Sequence, residues 1–377
     1  MKNLKRSNTT IMLITAFICS GISLQAQDYP TLEIGQTAPD FLLPGTDGKD
    51  YSLKDFNDNN FLVIMFICNH CPTAQSYEDR MIQLVNDYKD KGVGFLAVSP
   101  NDPLSVRLDE MGYTDLGDDL EDMKIRAEYK KYNFPYIYDG ETQEMSRKYG
   151  PVATPHVFIF DPDRKLRYTG RIDDSEIAVR PDTKHDTRNA LEALLTGNQV
   201  PVAKTKTFGC SVKWSDKRES AKKAFEKILQ EEVTLEEIST EGVETLVQNK
   251  PEKLTLINVW ATWCGPCVTE FPDLVEINLM YRNRDFEFIS ISADNLAKKE
   301  KVHEFLKKKH ASGRNYIFNE TDNYALIEAV DEKWQGALPY TMLIRSDGEI
   351  IYARQDAIDP LEMKRKIVEV LGREKDW

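Results

Sequence analysis

The sequence predicts an α/β protein of two similar domains in tandem, each a central mixed β-sheet flanked by helices. Two cysteine pairs of identical spacing, Cys68-Asn-His-Cys71 and Cys264-Gly-Pro-Cys267, stand 196 residues apart, and each follows an apolar run of strand length, residues 61–67 and Leu254–Trp260. Behind each pair the same succession recurs: a helical stretch, a second β-rich run, a proline-led strand, a turn and a last strand. Pro155 precedes Tyr168 by 13 residues, and Pro339 precedes Tyr352 by the same 13. The repeat has the scale of a domain, well above the roughly 20–50 residues of a solenoid unit.

Residues 1–26 open with Lys2, Lys5 and Arg6, continue through the apolar stretch 11–18 and end in small and polar residues. This is the layout of a secretory signal peptide, with cleavage expected near Ala26 or Gln27. The apolar run is shorter than the roughly 20 residues of a spanning helix, and Ile18 before Cys19 argues against lipid attachment. An exported, periplasmic protein with no stable membrane insertion is expected. Cleavage takes the formal net charge of −13 three units further negative, which disfavours nucleic acid and anionic membrane surfaces as partners. Five cysteines remain in the expected mature chain, too few for a disulfide scaffold.

Domain 1 is expected over residues 31–198, with strands at 61–67 and 93–99, a helix at 73–88, a crossover helix at 124–132, a strand after Thr154-Pro155 and a terminal helix at 187–195. From first cysteine to proline it runs 87 residues, against 75 in the second copy. The surplus is placed in the acidic segment 102–122, positioned to cover the first cysteine pair. Residues 199–232 are expected to link the domains, with a charged helix at 217–232. Domain 2, 233–377, repeats the pattern with strands at Leu254–Trp260 and Phe286–Ser292, helices at 269–282, 298–309 and Pro360–Leu371, and a strand after Leu338-Pro339. The lysine clusters at 298–299 and 307–309 read as solvated helix faces.

Disulfide exchange needs an accessible thiolate, a second thiol to release the mixed disulfide, and a path for the proton. A strand that delivers a cysteine to a helix N-terminus supplies the first, because unpaired N–H groups favour thiolate. Cys264 fits the attacker and Cys267 the resolving thiol, while Pro266 lies where its missing N–H costs nothing. Trp263-Cys-Gly-Pro-Cys267 resembles thioredoxins, and both halves are read as thioredoxin-like domains. The resemblance implies a cis-proline at Pro339, with Pro155 its counterpart, whose neighbouring backbone binds an extended substrate segment together with Trp263. Pro272 stands at the family's helix-kinking position.

One departure is informative. Where thioredoxins commonly carry a buried aspartate this chain has Asn258, and Cys267-Val-Thr-Glu270-Phe-Pro272 instead resembles the TlpA/ResA branch of exported thiol-disulfide oxidoreductases. Glu270 shares a helix face with Cys267, and the expectation is that it takes the Cys267 proton, with burial raising its pKa. The alternative is a solvated first-turn carboxylate.

The run Cys68-Asn-His-Cys71-Pro72, with Tyr77-Glu-Asp-Arg80, Gly170-Arg-Ile-Asp173 and Gly209-Cys-Ser-Val-Lys-Trp214, resembles redoxins near the AhpC/TSA peroxiredoxins. The peroxidatic motif is missing, because the proline and threonine expected seven and three residues before Cys71 are Ile64 and Cys68. His70 is placed as in the oxidising Cys-Pro-His-Cys motif of DsbA, where an imidazole would stabilise a Cys68 thiolate. Alternatives for this domain are a thiol peroxidase, a metal site built on Cys68, His70 and Cys71 with His156 as fourth ligand, or an interaction scaffold. Cys210 is either a resolving thiol or a structural one. Haem attachment is excluded, because Pro72 and Val268 follow the pairs where histidine is required. The reading is a thiol-disulfide oxidoreductase without dissociable cofactor or metal, acting on disulfide-bearing proteins and re-reduced by a membrane-embedded thiol donor.

Overall fold

The computed structural model describes residues 29–248 and 251–373, so the expected signal peptide lies outside the described residues. Domain 1 begins with a hairpin, β1 (Leu42–Pro44) and β2 (Asp50–Ser52). Its main sheet comprises β3 (Phe61–Phe66), β4 (Val93–Ser99) and β5 (Tyr136–Tyr138), then, after the short β6 (Ala153–Thr154), β7 (His156–Phe160) and β8 (Leu166–Gly170). The order is β5-β4-β3-β7-β8, with β3, β4 and β5 parallel and β7 antiparallel to both neighbours. Helices α1 (Pro72–Ser76), α2 (Glu78–Tyr88), α3 (Leu120–Lys130), α4 (Glu144–Tyr149) and α5 (Asp186–Leu195) pack around it. The helix expected at 73–88 is thus two helices meeting at Tyr77, whose N–H bonds back to Ala74 and Gln75.

After β9 (Cys210–Ser211) and α6 (Arg218–Ile228), domain 2 contains β10 (Glu236–Ile238), α7 (Thr240–Gln248), β11 (Leu254–Trp260), α8 (Gly265–Tyr281), β12 (Phe286–Ser292), α9 (Lys299–Lys308), β13 (Arg314–Phe318), α10 (Asn323–Val330), β14 (Tyr340–Ile344), β15 (Ile350–Gln355) and α11 (Pro360–Leu371). Its sheet order is β10-β13-β12-β11-β14-β15 with the same mixture of directions. Both sheets are covered on two faces, which is why their central strands read as unbroken apolar runs. Along β3, Val63 and Met65 enter one core while Leu62, Ile64 and Phe66 enter the other, as the two-residue pleat requires. β11 divides likewise, with Ile257 and Val259 on one side and Leu254 and Leu256 on the other.

Segment 102–122 is a strap with two short 3-10 turns, and it touches both domains. Leu108 and Met111 pack against the core of domain 2, the Tyr281 hydroxyl donates to Thr114 O at 2.7 Å, and Arg284 donates to Gly112 O at 3.0 Å. Asp115 is fully buried between Arg126 of domain 1, at 3.2 Å, and Arg365 and Arg373 of domain 2, at 3.2 and 2.7 Å. Burial pushes its carboxyl up, but Arg373 and Arg126 outweigh this and hold it below the usual range. Residues 199–215, expected as the start of the linker, instead run along domain 1. Thr169 N–H donates to Ala203 O at 2.9 Å, Asp102 N–H to Lys213 O at 2.9 Å, and β9 pairs with β6.

Candidate functional sites: two cysteine centres

In domain 2, β11 ends at Trp260 and the chain turns through residues 261–263, with Thr262 fixed by two 2.7 Å bonds to Asp294. Cys264 then caps α8, its Sγ accepting from Cys267 N–H at 3.3 Å, and the two cysteines form a disulfide. α8 continues through Pro272. The Leu338–Pro339 bond is cis, and Leu338 packs against the cluster that contains both cysteines. Trp263 beside them is 63% exposed, a large aromatic left in solvent at the site.

Glu270 is buried, not solvated. Its Oε1 accepts from Asn258 Nδ2 at 3.1 Å and its Oε2 from Ile358 N–H at 2.9 Å, so both oxygens are engaged by groups other than Cys267. Burial pushes its pKa up, with Asp273 and Asp356 adding to the rise against the two hydrogen bonds. Asn258 is fully buried and also donates to Thr341 Oγ1 at 2.9 Å.

The first centre departs from expectation. Cys68 does not begin a helix; α1 starts at Pro72, and its N-cap is Cys71, whose Sγ accepts from Ala74 N–H at 3.4 Å. Strand register gives the same assignment. Phe66 pairs with His156, the residue after Pro155, and Val259 pairs with Tyr340, the residue after Pro339. Five residues on from Phe66 is Cys71, and five on from Val259 is Cys264. Cys71 is therefore the counterpart of Cys264, and Ala74 stands where Cys267 would be. The spacing carried this signal: Ser99 lies 31 residues beyond Cys68 but 28 beyond Cys71, and Ser292 lies 28 beyond Cys264.

The displaced start has a physical cause in the strap, which covers this centre as its length suggested. Asp118 accepts from the N–H groups of Asn69 and His70 at 2.8 and 3.1 Å, donors that would otherwise open a helix. Asn69 Nδ2 donates to Gly117 O at 2.7 Å, and Thr114 Oγ1 to Asn69 O at 3.3 Å. Asp118 also lies 2.5 Å from His70 Nδ1 and accepts from Asn101 Nδ2 at 2.8 Å. Burial opposes both charges, yet each stabilises the other: His70 is held above its usual range and Asp118 below. Asp118 was beyond sequence reasoning, because a long irregular segment brings it back over the cysteines.

The thiolate expected at Cys68 is also displaced. Burial pushes the Cys68 thiol well up, with the Cys71 thiol and the Asp118 charge adding to the rise. Burial presses Cys71 upward too, but hydrogen bonds with Cys210 and Cys68, the His70 charge and Ala74 N–H outweigh it and hold Cys71 well below the usual cysteine range. Cys68 Sγ lies 3.1 Å from Thr154 Oγ1, next to the cis Thr154–Pro155 bond. His156 does not join the ligand-type cluster: its Nδ1 accepts from Val152 N–H at 3.3 Å and its Nε2 meets Thr169 Oγ1 at 2.9 Å. The ligand-type atoms of Cys68, His70 and Asp118 do lie within 4.8 Å of one another.

Residues 34–169 match the AhpC/TSA family and residues 197–371 match Redoxin. The thiol-disulfide oxidoreductase ResA of Bacillus thuringiensis subsp. konkukian is 26% identical over 162 residues, 41% of this chain and 82% of that protein. ResA of Geobacillus thermodenitrificans is 23% identical over 190 residues, 49% of this chain and 93% of the relative. Among solved structures, an uncharacterized conserved protein from Geobacillus kaustophilus is 40% identical, covering 50% of this chain and 93% of its own, with a TM-score of 0.44. No helix among the described residues is long and apolar enough to cross a membrane.

Proposed function

Since this chain is a tandem thioredoxin-like protein, we propose that it is an exported thiol-disulfide oxidoreductase that reduces protein disulfides through Cys264 and Cys267. The observation that carries the reading is one constellation: Cys264 capping α8, bonded to Cys267, beside the exposed Trp263 and the cis-Pro339 loop. The relatives named thiol-disulfide oxidoreductase ResA support the same class of chemistry.

In the reduced enzyme the Cys264 thiolate attacks one sulfur of a substrate disulfide, forming a mixed disulfide and releasing the other substrate sulfur as a thiol. Cys267 loses its proton, with Glu270 as the acceptor in its vicinity, and attacks Cys264. The second substrate thiol leaves and the Cys264–Cys267 bond closes, so two electrons pass from enzyme to substrate. Trp263 and the backbone beside Pro339 receive the extended substrate. The dithiol is regenerated by a membrane-embedded thiol donor, which an oxidising periplasm makes necessary. Domain 1 supplies a second thiol centre at Cys68 and Cys71, tuned by His70 and flanked by Pro155.

Replacing Cys267 by serine in the full chain leaves the mixed disulfide unresolved. Disulfide-bearing proteins should accumulate on Cys264, and insulin reduction should fall to background. Insulin reduction that survives the loss of Cys264 removes this reading.

A further inference from the structure

The two domains differ at the edge beside their cis-prolines. In domain 1 that edge is filled by the chain itself: β9 pairs antiparallel with β6, placing Cys210 opposite Thr154, the residue before Pro155. An extended peptide that adds to such an edge is held by main-chain hydrogen bonds, and residues 209–211 occupy that place from within. Among the described residues, no strand pairs with Leu338, the corresponding residue in domain 2. The fit in domain 1 is close. Gly209 has φ +123°, and a β-carbon there would collide with the Thr154 carbonyl oxygen.

This segment brings a third sulfur to the centre. Cys210 N–H donates to Cys71 Sγ at 3.3 Å. Cys68, Cys71 and Ala74 form one buried cluster on which Cys210 packs. Cys71 holds the position of Cys264, but the residue three further on is Ala74, so α1 offers no resolving thiol at the usual place. Cys71 is also fully buried, whereas Cys210 is only half-buried. An incoming disulfide meets Cys210 first.

We propose that Cys210 is the outer catalytic thiol of domain 1 and that this centre cycles through a Cys71–Cys210 disulfide, with residues 209–211 acting as a built-in substrate strand. The incoming oxidant is a low-molecular-weight disulfide, because the buried centre leaves no room for a protein disulfide to reach it. The Cys210 thiolate attacks one of its sulfurs, the external bond breaks, and the first external thiol departs with a proton. Cys71 then attacks Cys210 Sγ, the internal disulfide forms, and the second external thiol departs. Two electrons leave the protein and the external disulfide gains them, while the two departing external sulfurs take up the Cys210 proton and one from solvent. His70 and Ala74 N–H, which favour the Cys71 thiolate, assist the second step. None of this requires Cys264 or Cys267.

The test uses the full chain, reduced, then exposed to oxidised glutathione, alkylated, digested and mapped by mass spectrometry. A peptide pair linked through Cys71 and Cys210 is expected, and Cys68→Ser should retain it. Cys71→Ser should stop at a glutathione adduct on Cys210, and Cys210→Ser should slow loss of the Cys71 thiol at least about tenfold, with far-UV dichroism confirming folding. A Cys68–Cys71 bond with Cys210 fully alkylated overturns the proposal, as does an unmodified Cys210 in folded Cys71→Ser protein. The Cys264–Cys267 peptide in the same digest, with insulin reduction measured alongside, reports on domain 2 separately.

Discussion

Asn258 donates its side-chain amide to Glu270 across 3.1 Å, and both residues are buried. A carboxylate at position 258 would place a second negative charge against a carboxyl that burial already disfavours as an anion. The amide instead supplies a donor to that carboxyl.

Glu270→Gln should therefore flatten the pH dependence of exchange and slow the release step by about 10²-fold, within the usual range for a lost proton acceptor. Stability gives an independent sign. Because the folded-state pKa is raised, the favourable contribution is complete below the ordinary glutamate value, about 4.3, and is lost as pH rises through the raised value. Urea midpoints measured from pH 4 to 8 should show this decline in the native chain and not in Glu270→Gln. An unchanged rate profile would remove Glu270 from the mechanism.

The His70–Asp118 pair carries the opposite and complementary dependence. Asp118 is held low, so its contribution is present above the ordinary aspartate value, about 3.9, and is lost as pH falls through the lowered one. His70 is held high, so its contribution is complete below the ordinary value near 6.5 and is lost as pH rises through the raised one. Asp118→Asn should cost most at about pH 5–6, on the order of 3 kcal/mol for a broken buried pair, and less at pH 9. Denaturant titrations across that range would show it. An equal loss at every pH would mean that the backbone contacts of Asp118 matter and its charge does not.

Asp115 ties the domains together, and its loss should be felt as loss of cooperativity. Asp115→Ala strips a partner from fully buried Arg126, which keeps Glu78 and Gln75, and leaves Arg365 and Arg373 without this carboxylate. A destabilisation of about 3 kcal/mol is expected, with one unfolding transition separating into two. Arg365→Met removes a third-exposed partner and should cost no more than about 1 kcal/mol. Calorimetry of both variants would distinguish an interdomain lock from an ordinary buried charge.

What the sequence made legible follows from locality. Strands buried on both faces read as apolar runs, and the two proline-led strands declared themselves by equal spacing to Tyr168 and Tyr352. Short elements such as β5, β10 and α10 leave no legible signal, because three to eight residues carry too little periodicity. The identical Cys-x-x-Cys spelling points to Cys68 as the counterpart of Cys264, and only a three-residue difference in the distance to the next strand points to Cys71. The helix start is fixed by Asp118, about fifty residues away in sequence, and no local pattern reports that. Cys210 is similarly ambiguous in sequence, since the pairing of β9 with β6 is what places it beside Cys71.

Gly209 gives the last prediction, because two independent constraints meet there. Its φ of +123° is one that residues with a β-carbon rarely adopt, and that carbon would also meet the Thr154 carbonyl. Gly209→Ala must either distort the backbone, at about 1–3 kcal/mol, or lift residues 209–211 off β6. The second outcome is expected, since β9 is only two residues long and sits at an edge. Hydrogen exchange at Cys210 and Ser211 should then rise, and alkylation of Cys71 should accelerate as its cover is removed. A variant in which Cys71 stays as slow to alkylate as in the native chain, with β9 still protected, would show that the segment is not what closes the site.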